Sequence, residues 1–537
     1  MEVIFGELRQ LVGVAPLTGA QIACFIAYLI TLILLAFAEA NRLFSARDHS
    51  VEKDEERETL NKKPQEAAGE KNANAAPEAA RSFWAEVASC GIFKCLQLDM
   101  NTLSENRRYI LAAAEFGTLM AWFFVADRTA LLPEGSKNYT RDTFFFIYGL
   151  LVIYSFSTFR REWKTPLMLN RHQTEEWKGW MQVLFLLYHY FEARELYNLI
   201  RVLIAAYVWM TGFGNFLYYY KTRDFSIGRF AEMMWRLNFL VVFCCFVMNN
   251  SYMLYYICPM HTLFTWFVYA ALAVFPHFND SRLYLFGKIV ACVAVVAVVW
   301  EFKPVFYTVW APFRWLVRYT DPRRPGDDEM HEWFFRSGLD RYIWVHGMLC
   351  GFLHPYMDSA MNKLDSMGVL MRYLVRAAVL AACGLVLMAW YSHIYVLPKL
   401  EYNAIHPYTS WIPITVWMIA RNILPRMRVV SLGIFGWLGC ITLETYIGQF
   451  HTWLSTSIPD GQPVNLLVFL PEYSLLNFML VTAVYVYVSH RFFQLTNTLK
   501  QAAIPGRDTF KVGVNCFVIA VTGVLLWTAG LMISTAA

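Results

Sequence analysis

The chain has 537 residues, of which 57% are hydrophobic, 17% aromatic and only 16% charged. A soluble chain of this size normally carries about a quarter charged residues, so the composition excludes an ordinary soluble enzyme and reads as an all-α polytopic membrane protein. The formal net charge of +5 is too mild to argue for nucleic acid as a partner.

The first apolar run, 17–40, is long enough to span as an uncleaved anchor, and no cleavable signal peptide is evident. Segment 41–108 follows. Its centre, "EKDEERETLNKKPQEAAGEKNANAAPEAA", is charged and rich in Ala, Pro and Glu, so a largely disordered linker is expected there. Cys90 and Cys95 in this segment form one C-x4-C pair, a weak pointer to zinc or a disulfide. The other cysteines lie mostly inside apolar runs (Cys244, Cys245, Cys292, Cys383, Cys440) and read as small core residues.

From 109 to 537 the apolar runs are 109–131, 143–159, 178–194, 196–219, 231–250, 252–275, 284–302, 340–358, 372–396, 409–425, 430–454, 466–490 and 511–533. With the anchor they make about fourteen spans, or two fewer if short ones are re-entrant, and one multipass membrane domain. Basic residues orient the chain with its N-terminus luminal. Loops 160–177 (Arg160, Arg161, Lys164, Arg171), 220–229 (Lys221, Arg223, Arg229), 359–376, 421–428 and 491–511 are then cytosolic, as is 41–108. Asn138, in the sequon "NYT", falls on the luminal side as a glycosylation acceptor. Loop 303–339 is rich in Arg yet luminal by alternation; it also holds Asp321, Asp327, Asp328, Glu329 and Glu332, and loops of mixed charge can translocate.

One run carries the wrong residues for lipid. In "EWKGWMQVLFLLYHYFE" (176–192), Lys178, Gln182, His189 and Glu192 fall within roughly 40° of one helix face. Polar groups on one stripe of a bilayer helix should face a protein interior or a wet cavity. The stripe starts at the cytosolic surface with Lys178 and reaches His189 about 16 Å deeper.

A basic residue, ten positions, then His resembles the Arg/Lys-x10-His signature of the acyltransferase-three superfamily of multipass O-acylating enzymes. "YVWMTGFGNF" (207–216) resembles that superfamily's "SGF" turn, "RFAEMMWR" (229–236) its spaced arginines, and "LETYIGQFHTWL" (443–454) its late "YLWHWP"-type helix. Over nearly the whole chain, "LNRHQTEEWKGWMQVLF", "RLNFLVVFCCFVMNNSYMLYYICPMHTLF", "HEWFFRSGLDRYIW", "NAIHPYTSWIPITV" and "LLNFMLVTAVYVYVSHRFFQLTNTL" resemble the plant reduced-wall-acetylation proteins. These stand with fungal capsule O-acetylation proteins and the membrane part of sialate O-acetyltransferase. The resemblance implies Golgi O-acetylation of wall polysaccharides such as xylan, pectin, xyloglucan or mannan, with cytosolic acetyl-CoA as donor and no metal. It also implies work alongside separate luminal esterase-fold acetyltransferases, since this chain has no Gly-Asp-Ser nucleophile motif.

On that footing His189 is the expected catalytic residue, as general base or as acyl-imidazole nucleophile; the plain alternative is a core histidine. His451, with Glu444 seven residues before it on the same face, is expected to line the same cavity, against a packing role. Lys178, Gln182, Arg229 and Arg236 are donor-binding candidates, with Arg201 and Asn238 as further cavity residues; snorkelling or a structural ion pair is the alternative for the charged ones. His261 divides evenly between core and function. "HPYMD" (His354–Asp358) matches a His-x3-Asp pattern that arises easily by chance. His331 and His406 are read in luminal loops beside Trp333, Phe334, Tyr408 and Trp411, to hold a sugar or a partner enzyme. Two rivals remain: an acetyl-CoA antiporter, which should show a sequence repeat, and a non-enzymatic scaffold, in which the stripe is dispensable.

Overall fold

The computed structural model describes residues 16–59, 83–161, 168–506 and 508–536. In chain order the principal helices are α1 (Gly19–Thr59), α2 (Arg107–Arg128), α3 (Arg141–Ser155), α4 (Arg171–Phe191) and α5 (Tyr197–Thr222). There follow α6 (Ile227–Met248), α7 (Ile257–Ala273), α8 (Arg282–Glu301), α9 (Ile343–Ser366) and α10 (Val369–Trp390). Then come α11 (Trp411–Asn422), α12 (Gly433–Cys440), α13 (Thr442–Gly448), α14 (Ser474–Ala503) and α15 (Thr509–Ala536).

Among the described residues eight helices are long and apolar enough to cross a membrane: α1, α2, α5, α6, α8, α10, α14 and α15, wholly or in part. The other expected spans are helical too, but they are short, polar or broken. α3, α7 and α11 have 15, 17 and 12 residues; α4 and α9 carry ionisable stripes; Ile441 separates α12 from α13. Polar, short helices of this kind fit a membrane only when neighbouring protein covers them.

Two compact units divide the chain. One holds Phe123–Phe225 and Leu237–Phe493. Within it, α4 lies backbone to backbone on α12: a Cβ on Gly179 would sit 1.8 Å from the Phe435 carbonyl oxygen, and one on Gly439 1.9 Å from that of Glu175. α5 crosses α9 in the same way, with Gly212 against the Trp344 carbonyl at 2.0 Å and Gly347 against that of Trp209 at 2.3 Å. Lipid offers helices no hydrophobic drive to associate, so small residues that permit close contact hold such pairs together. "TGF" is therefore no turn. It lies in the middle of α5.

Small sheets close the two ends of this unit. β1 (Glu134–Ser136), β5 (Asn465–Leu467) and β4 (Leu454–Ser455) pair antiparallel in that order, with Gly135 opposite Leu466. At the opposite helix ends β2 (Phe159–Arg161) pairs with β3 (Val430–Leu432), Arg160 opposite Ser431. Loop 303–339 belongs to the β1 end. Tyr319 Oη donates to the Asp460 carbonyl at 2.8 Å, and Arg323 to that of Gln462 at 3.2 Å. Helical alternation requires this placement, and the loop's charge is partly cancelled internally, by Arg314–Glu329 at 3.1 Å and Arg336–Glu332 at 2.9 Å.

The second unit holds Ala15–Trp122, Ser226–Arg236 and Gln494–Ala537. α1 packs on α15, where a Cβ on Gly530 would meet the Gly19 carbonyl at 2.2 Å. Tyr28 lies over Gly117 and bonds Thr118 at 2.9 Å. In the expected linker, α1 continues to Thr59 and short helices occupy Phe83–Ser89, Gly91–Leu96 and Met100–Glu105; residues 60–82 lie outside the described residues. Cys90 and Cys95 are free thiols in different apolar clusters, Cys90 with Val514 and Val518, Cys95 with Ala38 and Leu103.

Candidate active site

α4 is anchored first at its start. Asn170 caps it by accepting from the Gln173 N–H at 3.0 Å and donates to the Arg428 carbonyl at 2.8 Å. Glu176 accepts from Arg421 at 3.1 Å and from the Leu432 N–H at 3.2 Å, which joins helix to β3. Nearly two turns on, Gln182 Nε2 donates to Thr445 Oγ1 at 3.0 Å and to the Thr442 carbonyl at 3.2 Å, while its Oε1 accepts from Tyr207 at 3.2 Å. Tyr207 also donates to the Lys178 carbonyl. These bonds satisfy Gln182 as a clamp between three helices, which leaves its amide little to offer a donor molecule.

The stripe is shorter than the sequence implies. Glu192 lies beyond the helix in the left-handed region, φ 58°, where it pairs with Arg194 at 2.5 Å and faces solvent. Lys178 pairs with Glu175 at 2.7 Å, both side chains partly exposed. Lys164 lies outside the described residues.

His189 is half-buried near the β1 end of α4, with Phe185 at 4.6 Å and Tyr188 at 5.2 Å between ring centroids. Neither ring nitrogen has a hydrogen-bond partner among the described residues. Every other described histidine that is buried or half-buried is held. His261 bonds Thr211 at 2.7 Å, His346 bonds Thr415 at 3.3 Å, and His354 bonds the Met168 carbonyl at 2.8 Å. His406, His451 and His490 are likewise engaged. Lys137 and Arg336 are the cations near enough to act on His189. Lys137 donates to the Pro463 carbonyl at 2.7 Å, and burial pulls its ammonium down to about 8; Arg336 lies 4.4 Å over the Tyr256 ring.

His451 presents the opposite case. It is 0% exposed, on a π-helical turn Gln449–Trp453 that follows α13. Nδ1 meets Asp127 at 2.7 Å and Nε2 meets Tyr255 Oη at 2.5 Å. Asp127 is the fixed point: its oxygens also take Arg128 at 2.6 Å, the Thr456 N–H at 2.6 Å and Ser455 Oγ at 3.1 Å. With Nδ1–H donated to a carboxylate, Nε2 must accept from the tyrosine. Both nitrogens are spent. Glu444 is also 0% exposed, so the expectation that it and His451 line an open cavity fails; the π turn inserts wider-pitch residues between them and shifts the face of the second.

Other candidates sort by their partners. Arg201 is 1% exposed and pairs with Asp340 at 2.8 Å; His406 lies 3.6 Å from the same carboxylate and bonds Tyr402 at 3.0 Å. His406 thus sits inside helix Lys399–Thr409, 0% exposed, and not in an open loop. Of its supposed aromatic companions Tyr408 and Trp411 are exposed, while Trp333 is buried and His331 stacks on Phe335. In "HPYMD", His354 and Asp358 grip the Met168 carbonyl and N–H respectively, a structural clamp. Asn238 bonds Thr262 at 3.0 Å and accepts from Tyr252. Arg229 pairs with Glu232 at 2.9 Å; Arg236 is half-buried and engaged, and both belong to the second unit. Asn138 is exposed at the β1 end, as a glycan acceptor must be. Among the described residues no cluster of His, Cys, Asp and Glu has metal-site geometry.

Sequence reasoning missed Asp127, Tyr255 and Tyr207. An acid inside apolar run 109–131 was the available signal for Asp127, since carboxylates in membrane spans are costly unless partnered. Nothing in the sequence marked either tyrosine.

A family model described as the "10 TM Acyl Transferase domain found in Cas1p" matches residues 14–515. The chain belongs to this family. As a ten-transmembrane acyl transferase domain protein it is also 32% identical, over 417 residues, to the N-acetylneuraminate (7)9-O-acetyltransferase of Danio rerio. That match covers 74% of this chain and 51% of the relative, so the chain spans about half the length of the curated relative. No solved structure matches.

Proposed function

We propose that the protein is a membrane O-acetyltransferase that takes acetyl from acetyl-CoA at the β2 end and delivers it to a carbohydrate hydroxyl at the β1 end. One observation carries the reading: among the described interior histidines, His189 alone keeps both ring nitrogens free. A base or nucleophile must have a lone pair open to the reacting atom.

In the relay form, neutral His189 attacks the thioester carbonyl and expels CoA thiolate, which takes up a proton to leave as thiol. The acceptor hydroxyl then attacks the acetyl-imidazole, loses its proton and restores the neutral ring. In the direct form, His189 removes the hydroxyl proton as the acceptor attacks the thioester. Lys178, at the β2 end of the same helix, is positioned to exchange Glu175 for a donor phosphate; Arg229 and Arg236 are assigned to phosphate on the sequence resemblance alone. The same resemblance supports the Golgi, a cytosolic β2 end, and wall polysaccharide as acceptor, in work shared with luminal esterase-fold enzymes.

The test is incubation of the purified chain with radiolabelled acetyl-CoA, with and without polysaccharide acceptor. Acetyl must leave CoA in a His189-dependent way. Intact acetyl-CoA crossing a sealed proteoliposome without hydrolysis or transfer would replace this reading with the transporter.

A further inference from the structure

At the β2 end, charge is out of balance around Asp365. Arg428, 1% exposed, holds Asp365 Oδ2 at 3.0 Å and fixes itself by donating Nε to the Asn422 carbonyl at 2.6 Å. Arg376, 7% exposed, holds Oδ1 of the same carboxylate at 2.6 Å. Arg372, one turn earlier on α10, reaches only the Asp365 backbone carbonyl, at 3.2 Å. Two guanidinium groups therefore share one carboxylate, and the third has only a backbone carbonyl. The Nε atoms of both Arg372 and Arg376 are buried with no hydrogen-bond partner.

Among the described residues no other acid is placed to pair with them. α9, α10 and α11 carry only two carboxylates, Asp358 and Asp365, and Asp358 is committed to His354 and the Met168 N–H. Glu176, across the β2 end, is taken by Arg421. Arg372 is half-buried with no carboxylate of its own, and Arg376 shares one with Arg428, so both have donor capacity left for an anion. Its setting indicates what kind. Leu370, Met371, Tyr373 and Leu374 surround Arg372 on the first turns of α10 and are all more than half exposed, at 74%, 57%, 57% and 57%, as a lipid-facing rim would be. α10 itself begins a span there. Basic corners between helix ends at the membrane surface are where phosphate headgroups bind.

We propose that Arg372 and Arg376 form a phosphate-group site, filled by the headgroup of an anionic phospholipid or by the phosphates of a nucleotide donor. Guanidinium matches phosphate oxygens in paired, charge-assisted hydrogen bonds. Arg428 and Asp365 hold the site open by fixing Arg376 in place. The inference is independent of His189, and survives if the transferase reading fails.

Native mass spectrometry of the full chain, released from nanodiscs of phosphatidylcholine with phosphatidic acid, tests the lipid source. Preferential retention of the anionic lipid is expected, and R372Q should lower it by about fivefold, the worth of one basic residue at a membrane surface. R426Q, an exposed arginine nearby that makes none of these contacts, should leave it unchanged. CoA added to the wild type supplies the second arm: displacement of lipid by CoA, lost in R372Q, assigns the phosphate to the nucleotide. R376K keeps the charge and should fold and bind where R376Q fails to fold. If neither lipid nor CoA binding changes in monodisperse R372Q, the site does not exist.

Discussion

Replacing His189 by Ala removes the one interior imidazole, among the described residues, that hydrogen bonding leaves free, and little else. Its ring contacts are T-shaped ones with Phe185 and Tyr188, so expression and monodispersity should hold while acetyl transfer drops by about 100- to 10,000-fold, the usual span for losing an acid–base group. His451 should behave in reverse. Asp127→Asn removes the charge that faces Arg128 at 2.6 Å and accepts from His451, and breaking a buried pair on one side costs about 3–5 kcal/mol. A lowered melting temperature with near-normal turnover per folded molecule is expected; a normal melting temperature with lost activity would return His451 to the chemistry. The sequence ranked both histidines as intramembrane and functional. It could not separate them, because the partner that binds His451 stands 324 residues away in the chain.

At the scale of elements, α4 is positioned by contacts too close to admit a side chain. Gly439→Ala places a methyl 1.9 Å from the Glu175 carbonyl, whereas Gly436→Ala, three residues earlier on α12, meets nothing within 4 Å. The first should abolish monodisperse protein in size-exclusion chromatography and the second should be silent; equal tolerance of both would refute the α4–α12 packing. Such glycines were legible as residues but not as contacts, since Gly436 on the same α12 touches nothing. The helical periodicity that put Lys178, Gln182 and His189 on one face was legible and holds, for it depends only on the 3.6-residue repeat. Glu192 leaves the face where that repeat ends, at a left-handed cap, and His451 leaves the face of Glu444 at a π turn.

For the whole molecule, apolar run lengths made the multipass all-α fold plain, and loops on one side of the alternation do meet one another, as Tyr319 does Asp460. Which end faces the lumen is a separate proposal from basic-residue counts. It predicts that single cysteines at 323 and 462, at the β1 end, react with an impermeant maleimide from one side of sealed vesicles and a cysteine at 223 from the other. It also predicts that Asn138→Gln removes a glycosidase-sensitive shift in mobility. Reaction of 323 and 223 from the same side would contradict the architecture itself, and reversed sides only the orientation.

The transfer reaction is most directly tested by single-turnover measurement of radiolabelled acetyl leaving CoA on the purified protein, wild type against His189→Ala. The wild type should pass acetyl to protein or acceptor, while the variant, equally monodisperse, should be slower by at least about 100-fold. Transfer by the variant at the wild-type rate would contradict the assignment of His189 as the reacting group.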